Sequence, residues 1–196
     1  MTRLLFLRHG PTQWNREGRL QGQIDTPLLP AVEPEIARWR VPQPFASAPC
    51  YASALTRARR TAELLGRIPE TDARLNEMAY GDWEGRIAAE VREGPDIIEG
   101  HMGLDFRPPG GESPREVQRR LAAFMADRAA EGGDFLVVAH KQVIRCLYAL
   151  ASGWAMDRDP DDRLDFAAAQ LFGVGADGRP VVLGLNLPLD GGAAVP

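Results

Sequence analysis

Alternating strand and helix signals predict an α/β fold, with a mostly parallel sheet covered by helices on both faces. Short apolar runs that read as buried strands, such as residues 4–7 and 135–139, carry half of that expectation. The other half comes from the stretches between them, which show helical spacing and recognisable helix starts.

The first predicted strand, residues 3–7, ends at Arg8-His9-Gly10 and opens into a polar loop. In an open α/β sheet, ligands meet the protein just beyond a strand's carboxyl end, and this layout places an imidazole beside a guanidinium there. Gly10 is expected to let the backbone turn and approach a ligand closely. A histidine beside a fixed positive charge suits attack on an anionic electrophile, above all a phosphoryl group. Taken alone, His9 is better read as an ordinary surface histidine after an edge strand.

Further strands are predicted at residues 47–52, 135–139, 169–174 and 181–186, and helices at 56–65, 87–92, 114–130 and 142–152. Ser113-Pro114 makes a good helix start, with serine as cap and proline in the first turn. Val117, Leu121 and Phe124-Met125 then keep helical spacing, which leaves Arg115, Arg119, Arg120 and Arg128 for the wet side. Ala176-Asp177-Gly178-Arg179 reads as a hairpin turn between the last two strands. Four prolines between residues 30 and 44 restrict any helix there to about residues 33–40, remote from the chemistry. Residues 96–111 break the rhythm with glycines, prolines, His101, Met102 and Phe106, as loops that cover a site often do. For His101, packing or solvation outweighs catalysis. Residues 1–190 are expected to form one domain, with 191–196 a loose tail.

Composition narrows the function. Of 196 residues, 44% are hydrophobic and 26% charged, ordinary for a globular protein. The net charge of −4, without a basic tract, argues against nucleic acid as partner. Any anion site must therefore be a local arginine cluster. Cys50 and Cys146 lie far apart without metal-ligand spacing and read as reduced thiols. No signal peptide or membrane-spanning run is evident, so a cytoplasmic protein without membrane partner is expected. With three histidines, no carboxylate cluster of ligand spacing and abundant arginine, no metal or other cofactor is expected.

The ordered set of RHG at Arg8–Gly10, WN at Trp14-Asn15, QG at Gln21-Gly22, LTRARRTA from Leu55, NE at Asn76-Glu77, GDWEG from Gly81 and VVAH ending at His140 resembles the histidine phosphatase superfamily. This superfamily holds the cofactor-dependent phosphoglycerate mutases and their phosphatase relatives. The resemblance runs from Leu4 to about Arg145 and implies a three-layer αβα sandwich of the phosphoglycerate mutase type. It also implies His9 as a nucleophile forming a phosphohistidine, Arg8 and Arg57 as phosphate clamps, and His140 as a donor to the phosphoryl oxygens. Glu77 matches the general acid, with Glu84 its nearest competitor. Asn15 and Gln21 match pocket-lining positions, although both would also serve as turn caps. Arg59 and Arg60 read as helix-surface residues.

Two positions depart from the family pattern. Pro11 stands where relatives commonly carry glutamate, stiffening the loop and removing a backbone donor. Lys141, the only lysine of the chain, follows His140 where relatives often carry glycine. Its ammonium is expected either to reach a second anionic group on a substrate or to point into solvent, with equal weight. The spacing resembles the broad-specificity and alpha-ribazole phosphatase branches, and the chain is more compact than the mutases tend to be. A phosphatase for a small phosphorylated metabolite is therefore the leading expectation. Mutase-type phosphoryl transfer and a non-catalytic phosphate-ligand sensor are the alternatives.

Overall fold

The computed structural model describes residues 1–94 and 103–190. In chain order the elements are β1 (Thr2–Arg8), α1 (Gln13–Arg16), α2 (Glu33–Ile36), β2 (Cys50–Ala52), α3 (Thr56–Leu64), β3 (Glu70–Thr71) and α4 (Ala88–Arg92). There follow α5 (Pro114–Glu131), β4 (Asp134–Ala139), α6 (Lys141–Ser152), β5 (Ala169–Val174) and β6 (Pro180–Leu187). The strands form one six-stranded sheet in the order β3-β2-β4-β1-β5-β6. β3, β2, β4 and β1 pair in parallel, and only β5 runs against its neighbours. This is the mixed α/β architecture that the alternation predicts.

Side-chain alternation explains the layers. Leu4, Phe6, Phe135, Val137 and Ala139 face a core shared with α5 and α6. Leu5, Leu7, Leu136 and Val138 face the opposite core, against Ala58 and Ala62 of α3. Because both faces are covered, β1 and β4 read as continuous apolar runs. A one-residue slip of β1 would exchange its two faces and misplace side chains that each contribute roughly 1.5–3 kcal/mol by burial.

Local signals fix the ends of α5. Ser113 caps it, its hydroxyl accepting from the Glu116 amide while the Glu116 carboxylate accepts from the Ser113 amide, and Pro114 opens the first turn. Two of its arginines are not on the wet side as the periodicity predicts. Arg128 is buried, with its guanidinium 4.3 Å from the centroid of the Tyr51 ring. Arg120 is half-buried and bonds Glu112.

The proline-rich segment yields less helix than expected: a 3-10 turn at Pro30–Val32 and then α2. It is also not remote from the chemistry. A Cβ at Gly10 would come within 2.2 Å of Cδ1 of Ile36 in α2. Gly10 therefore admits a neighbouring side chain; this is a packing role, whereas the sequence reading assigned it approach to a ligand. The turn between β5 and β6 is as read, with Gly178 at φ +74°. Of the loop at 96–111, residues 103–111 are described. His101 and Met102 lie outside the described residues, as does the tail at 191–196.

Candidate active site

The parallel register of β1 and β4 pairs Arg8 with Ala139. The next residue of each strand, His9 and His140, therefore emerges at the same edge of the sheet. The His9 amide donates to the Ala139 carbonyl at 3.0 Å, and the two imidazoles lie 5.0 Å apart between centroids, inclined by 58°. Both histidines are buried, and His9 lines a cavity of about 690 Å³.

His9 is held in one tautomer. Its Nδ1 lies 2.7 Å from the Gly10 carbonyl oxygen, which can only accept, so Nδ1 carries the proton and Nε2 keeps its lone pair. Burial holds the His9 pKa well below the usual imidazole value, and Arg8 and Arg57 push it the same way. Desolvation is the larger of these causes. The Gly10 amide is anchored on the Thr61 hydroxyl at 3.0 Å, which in turn donates to the Arg57 carbonyl at 2.7 Å. Thr61 thus ties the loop after β1 to α3.

Arg57 is fully buried at the start of α3. Its terminal nitrogens donate to the carbonyls of Ile24, at 2.9 Å, and Gly22, at 2.8 Å, while its Nε has no protein partner. Arg8 also has an unpartnered buried Nε, and neither ring nitrogen of His140 is hydrogen-bonded. Buried polar groups without partners are costly, so donors left open around one cavity point to a polar ligand. Burial, followed by the charges of His9 and the nearby arginines, keeps His140 well below its ordinary pKa.

Glu77 completes this group. It is buried, with Oε1 accepting from the Met78 amide at 2.9 Å and Oε2 from the Gln142 amide at 3.3 Å. Burial raises its pKa, against the opposing pull of those amides and of Arg57 and Arg8. Glu84, the competing carboxylate, is engaged elsewhere: its Oε1 accepts from the Gln23 and Tyr80 amides, both at 3.0 Å.

Asn15 and Gln21 do both jobs that the sequence allowed. Each lines the cavity. Asn15 Oδ1 accepts from Thr12 in the capping box of α1, and Gln21 Oε1 accepts from the hydroxyls of Thr12 and Thr26. Lys141 is exposed at the first turn of α6 and also lines the cavity, its ammonium 5.4 Å from the centroid of Phe166. Arg59 is exposed, and Arg60 pairs with Glu33 at 2.6 Å, as surface residues do.

Several cavity residues escaped the sequence reading. Tyr80, Arg92 and Arg145 line the wall, and Arg120 lies behind it, donating to the Glu77 carbonyl at 3.2 Å. Only Arg145 had a usable signal, being one helical turn beyond Lys141 on the same face. Among the described residues no group of three or more His, Cys, Asp or Glu side chains could hold a metal ion, and no helix is long and apolar enough to cross a membrane.

Known proteins resemble this chain in sequence and fold. The chain is 32% identical over 173 residues to the probable phosphoglycerate mutase GpmB of Salmonella paratyphi C, covering 81% of this chain and 80% of that protein. The corresponding Klebsiella pneumoniae protein is 34% identical over 167 residues, covering 78% and 76%. Among solved structures, YhfR of Bacillus stearothermophilus superposes with a TM-score of 0.74 at 29% identity, covering 93% of this chain and 95% of that one. A mycobacterial glucosyl-3-phosphoglycerate phosphatase in complex with VO3 gives a TM-score of 0.73 at 27% identity, covering 94% and 98%. The profile of the histidine phosphatase superfamily (branch 1) matches residues 4–187, and the chain belongs to that superfamily.

Proposed function

We propose that this protein hydrolyses small phosphomonoesters through a phosphohistidine on His9, with Glu77 as general acid. The observation that carries the reading is the Nδ1–Gly10 hydrogen bond, which leaves Nε2 of a neutral imidazole as a nucleophile beside unpartnered donors. In the first step the Nε2 lone pair forms an N–P bond while the ester P–O bond breaks. Glu77 gives its proton to the departing alkoxide, a task suited to a carboxyl whose pKa burial raises. Arg8, Arg57 and His140 compensate charge on the equatorial oxygens. In the second step water attacks phosphorus, Glu77 takes the water's proton, and the N–P bond breaks to release inorganic phosphate and neutral His9.

Mutase-type transfer begins with the same phosphohistidine, and the names of the Salmonella and Klebsiella relatives favour it. Hydrolysis is preferred because exposed Lys141 and Arg92 stand on the cavity wall and keep it open to water, the second substrate. Incubation with 3-phosphoglycerate separates the two: free phosphate supports the phosphatase, whereas isomerised product without phosphate release supports the mutase. An aryl phosphate left intact, together with phosphoglycerate left unchanged, would leave only a phosphate-ligand sensor.

Neither step calls on a metal, because arginines supply the positive charge. Turnover should therefore survive exhaustive chelation. Activity lost to chelation and restored by one divalent ion would contradict the mechanism.

A further inference from the structure

The protein is acidic overall, yet its cavity is cationic. Among the described residues, six basic side chains and two carboxylates line it. Arg19 is neutralised by Glu17 at 2.6 Å, and Arg8 and Arg57 flank His9. That leaves Arg92, Lys141 and Arg145, none of which forms an ion pair among the described residues. A phosphoryl dianion held at His9 accounts for the first pair of arginines and not for these three.

Arg92 and Lys141 are exposed and Arg145 is half-buried, yet two of the three are held in place by neighbours. Lys141 and Arg145 lie on one face of α6, about 6 Å apart along its axis. Aromatic walls orient both: Phe166 lies under the lysine, and Trp154 lies under the arginine with 4.8 Å from guanidinium to ring centroid. Arg92 reaches the same wall from α4. Partial desolvation, followed by Arg8, Arg145 and Arg92, lowers the Lys141 pKa, so these cations repel one another across a shared space. Asp159 is the carboxylate facing Arg145, and Glu77 is the other acid that faces the group. Cations left to repel one another in a half-closed wall are stabilised by an anion arriving between them.

We infer that Arg92, Lys141 and Arg145 form a second anion subsite, which selects phosphomonoesters whose organic part carries its own carboxylate or phosphate. The subsite deepens the reading of this cavity as a phosphoryl pocket and rests on it. Alcohol or sugar phosphates that are neutral beyond the reacting group would leave the three cations uncompensated.

Binding and turnover are best read separately, at low ionic strength where screening is weak. In calorimetry, 3-phosphonopropanoate should bind the wild-type protein about tenfold more tightly than 3-phosphonopropanamide, as expected for one or two charge-assisted contacts. Propane-1,3-bisphosphonate should also bind more tightly than the amide, and its rank against the carboxylate identifies which second anion fits. Lys141→Gln and Arg145→Gln should each shrink the carboxylate-to-amide ratio, and the double variant should bring it close to one. Equal binding of acid and amide by the wild type would overturn the subsite, as would an unchanged ratio in the double variant. The aryl pair 4-carboxyphenyl phosphate and 4-carbamoylphenyl phosphate supplies the turnover arm. Charge-selective phosphonate binding without phosphate release would defeat the hydrolase and keep the subsite. Phosphate release without charge preference in either assay would do the reverse.

Discussion

His9 and His140 meet because β1 and β4 pair in parallel with Arg8 opposite Ala139. The pairing delivers two imidazoles side by side, 5.0 Å apart, from segments far apart in the chain. Only His9 has its Nδ1 bound to a backbone carbonyl, whereas both nitrogens of His140 are without a partner. The two rings are therefore unequal: one has its tautomer fixed with Nε2 carrying the lone pair, and the other has both nitrogens open.

His9 should carry the phosphoryl group. Acid-quenched enzyme is expected to show acid-labile, base-stable label on His9, and His9→Ala is expected to show none. Turnover should fall by on the order of 10⁴-fold or more, as when a covalent nucleophile is removed. Wild-type rates in His9→Ala would exclude the phosphohistidine route.

Glu77→Gln should discriminate between leaving groups. An aryl oxide departs with little need of a proton, whereas an alkoxide needs one in the transition state. Loss of a general acid costs about 10²–10⁴-fold, so alkyl phosphates should slow by that order and aryl phosphates much less. Equal losses on both classes would make Glu77 a binding or folding residue.

Acid should weaken the fold through the histidine pair. Burial keeps both rings neutral, with folded pKa values well below 6.5. Unfolded, each ring takes up a proton near 6.5, so the unfolded chain binds more protons in the window between. Stability must then rise with pH across that window and be lost as pH falls through the unfolded value. One unit below it, each histidine costs about 1.4 kcal/mol. Glu77 works in the opposite sense: its raised pKa gives a contribution present below 4.5 and lost as pH rises through the folded value. Thermal melts should show the midpoint falling below about pH 6.5, with a shallower slope in His140→Asn. An identical slope in that variant would mean other groups govern acid unfolding.

Much of the site was legible because each part marks a boundary. RHG and VVAH end apolar runs, and Arg57 opens the helix after a short strand, so local pattern marked their places and the resemblance to the superfamily supplied their expected roles. Their convergence depends on sheet register, which is a long-range property that no local spacing carries. β3 was invisible because Glu70-Thr71 is two exposed residues without apolar signal. Arg120 and Arg128 were misplaced because helical periodicity separates apolar from polar faces and does not foresee partners such as Glu112 or the Tyr51 ring. The prolines between residues 30 and 44 shortened the helix further than expected, and the contact of Ile36 with Gly10 belongs to tertiary packing.

Arg120 should act on catalysis by positioning Glu77. Its guanidinium donates to the Arg74 carbonyl at 2.6 Å, to the Glu77 carbonyl at 3.2 Å and to both Glu112 carboxylate oxygens at 3.1 Å. Glu112 in turn accepts from the Ala79 amide at 3.0 Å, so the pair brackets the Glu77 backbone from both sides. A planar fork can serve all four acceptors; an ammonium cannot. Arg120→Ala should destabilise the fold by roughly 1.5–3 kcal/mol, the range for hydrogen bonds to charged groups. Arg120→Lys should recover part of that stability through the charge on Glu112. If Glu77 is thereby loosened, kcat on alkyl phosphates should remain depressed in Arg120→Lys while aryl phosphate turnover recovers, the same leaving-group signature as Glu77→Gln. Matched recovery of both substrates would reduce Arg120 to a support of the fold.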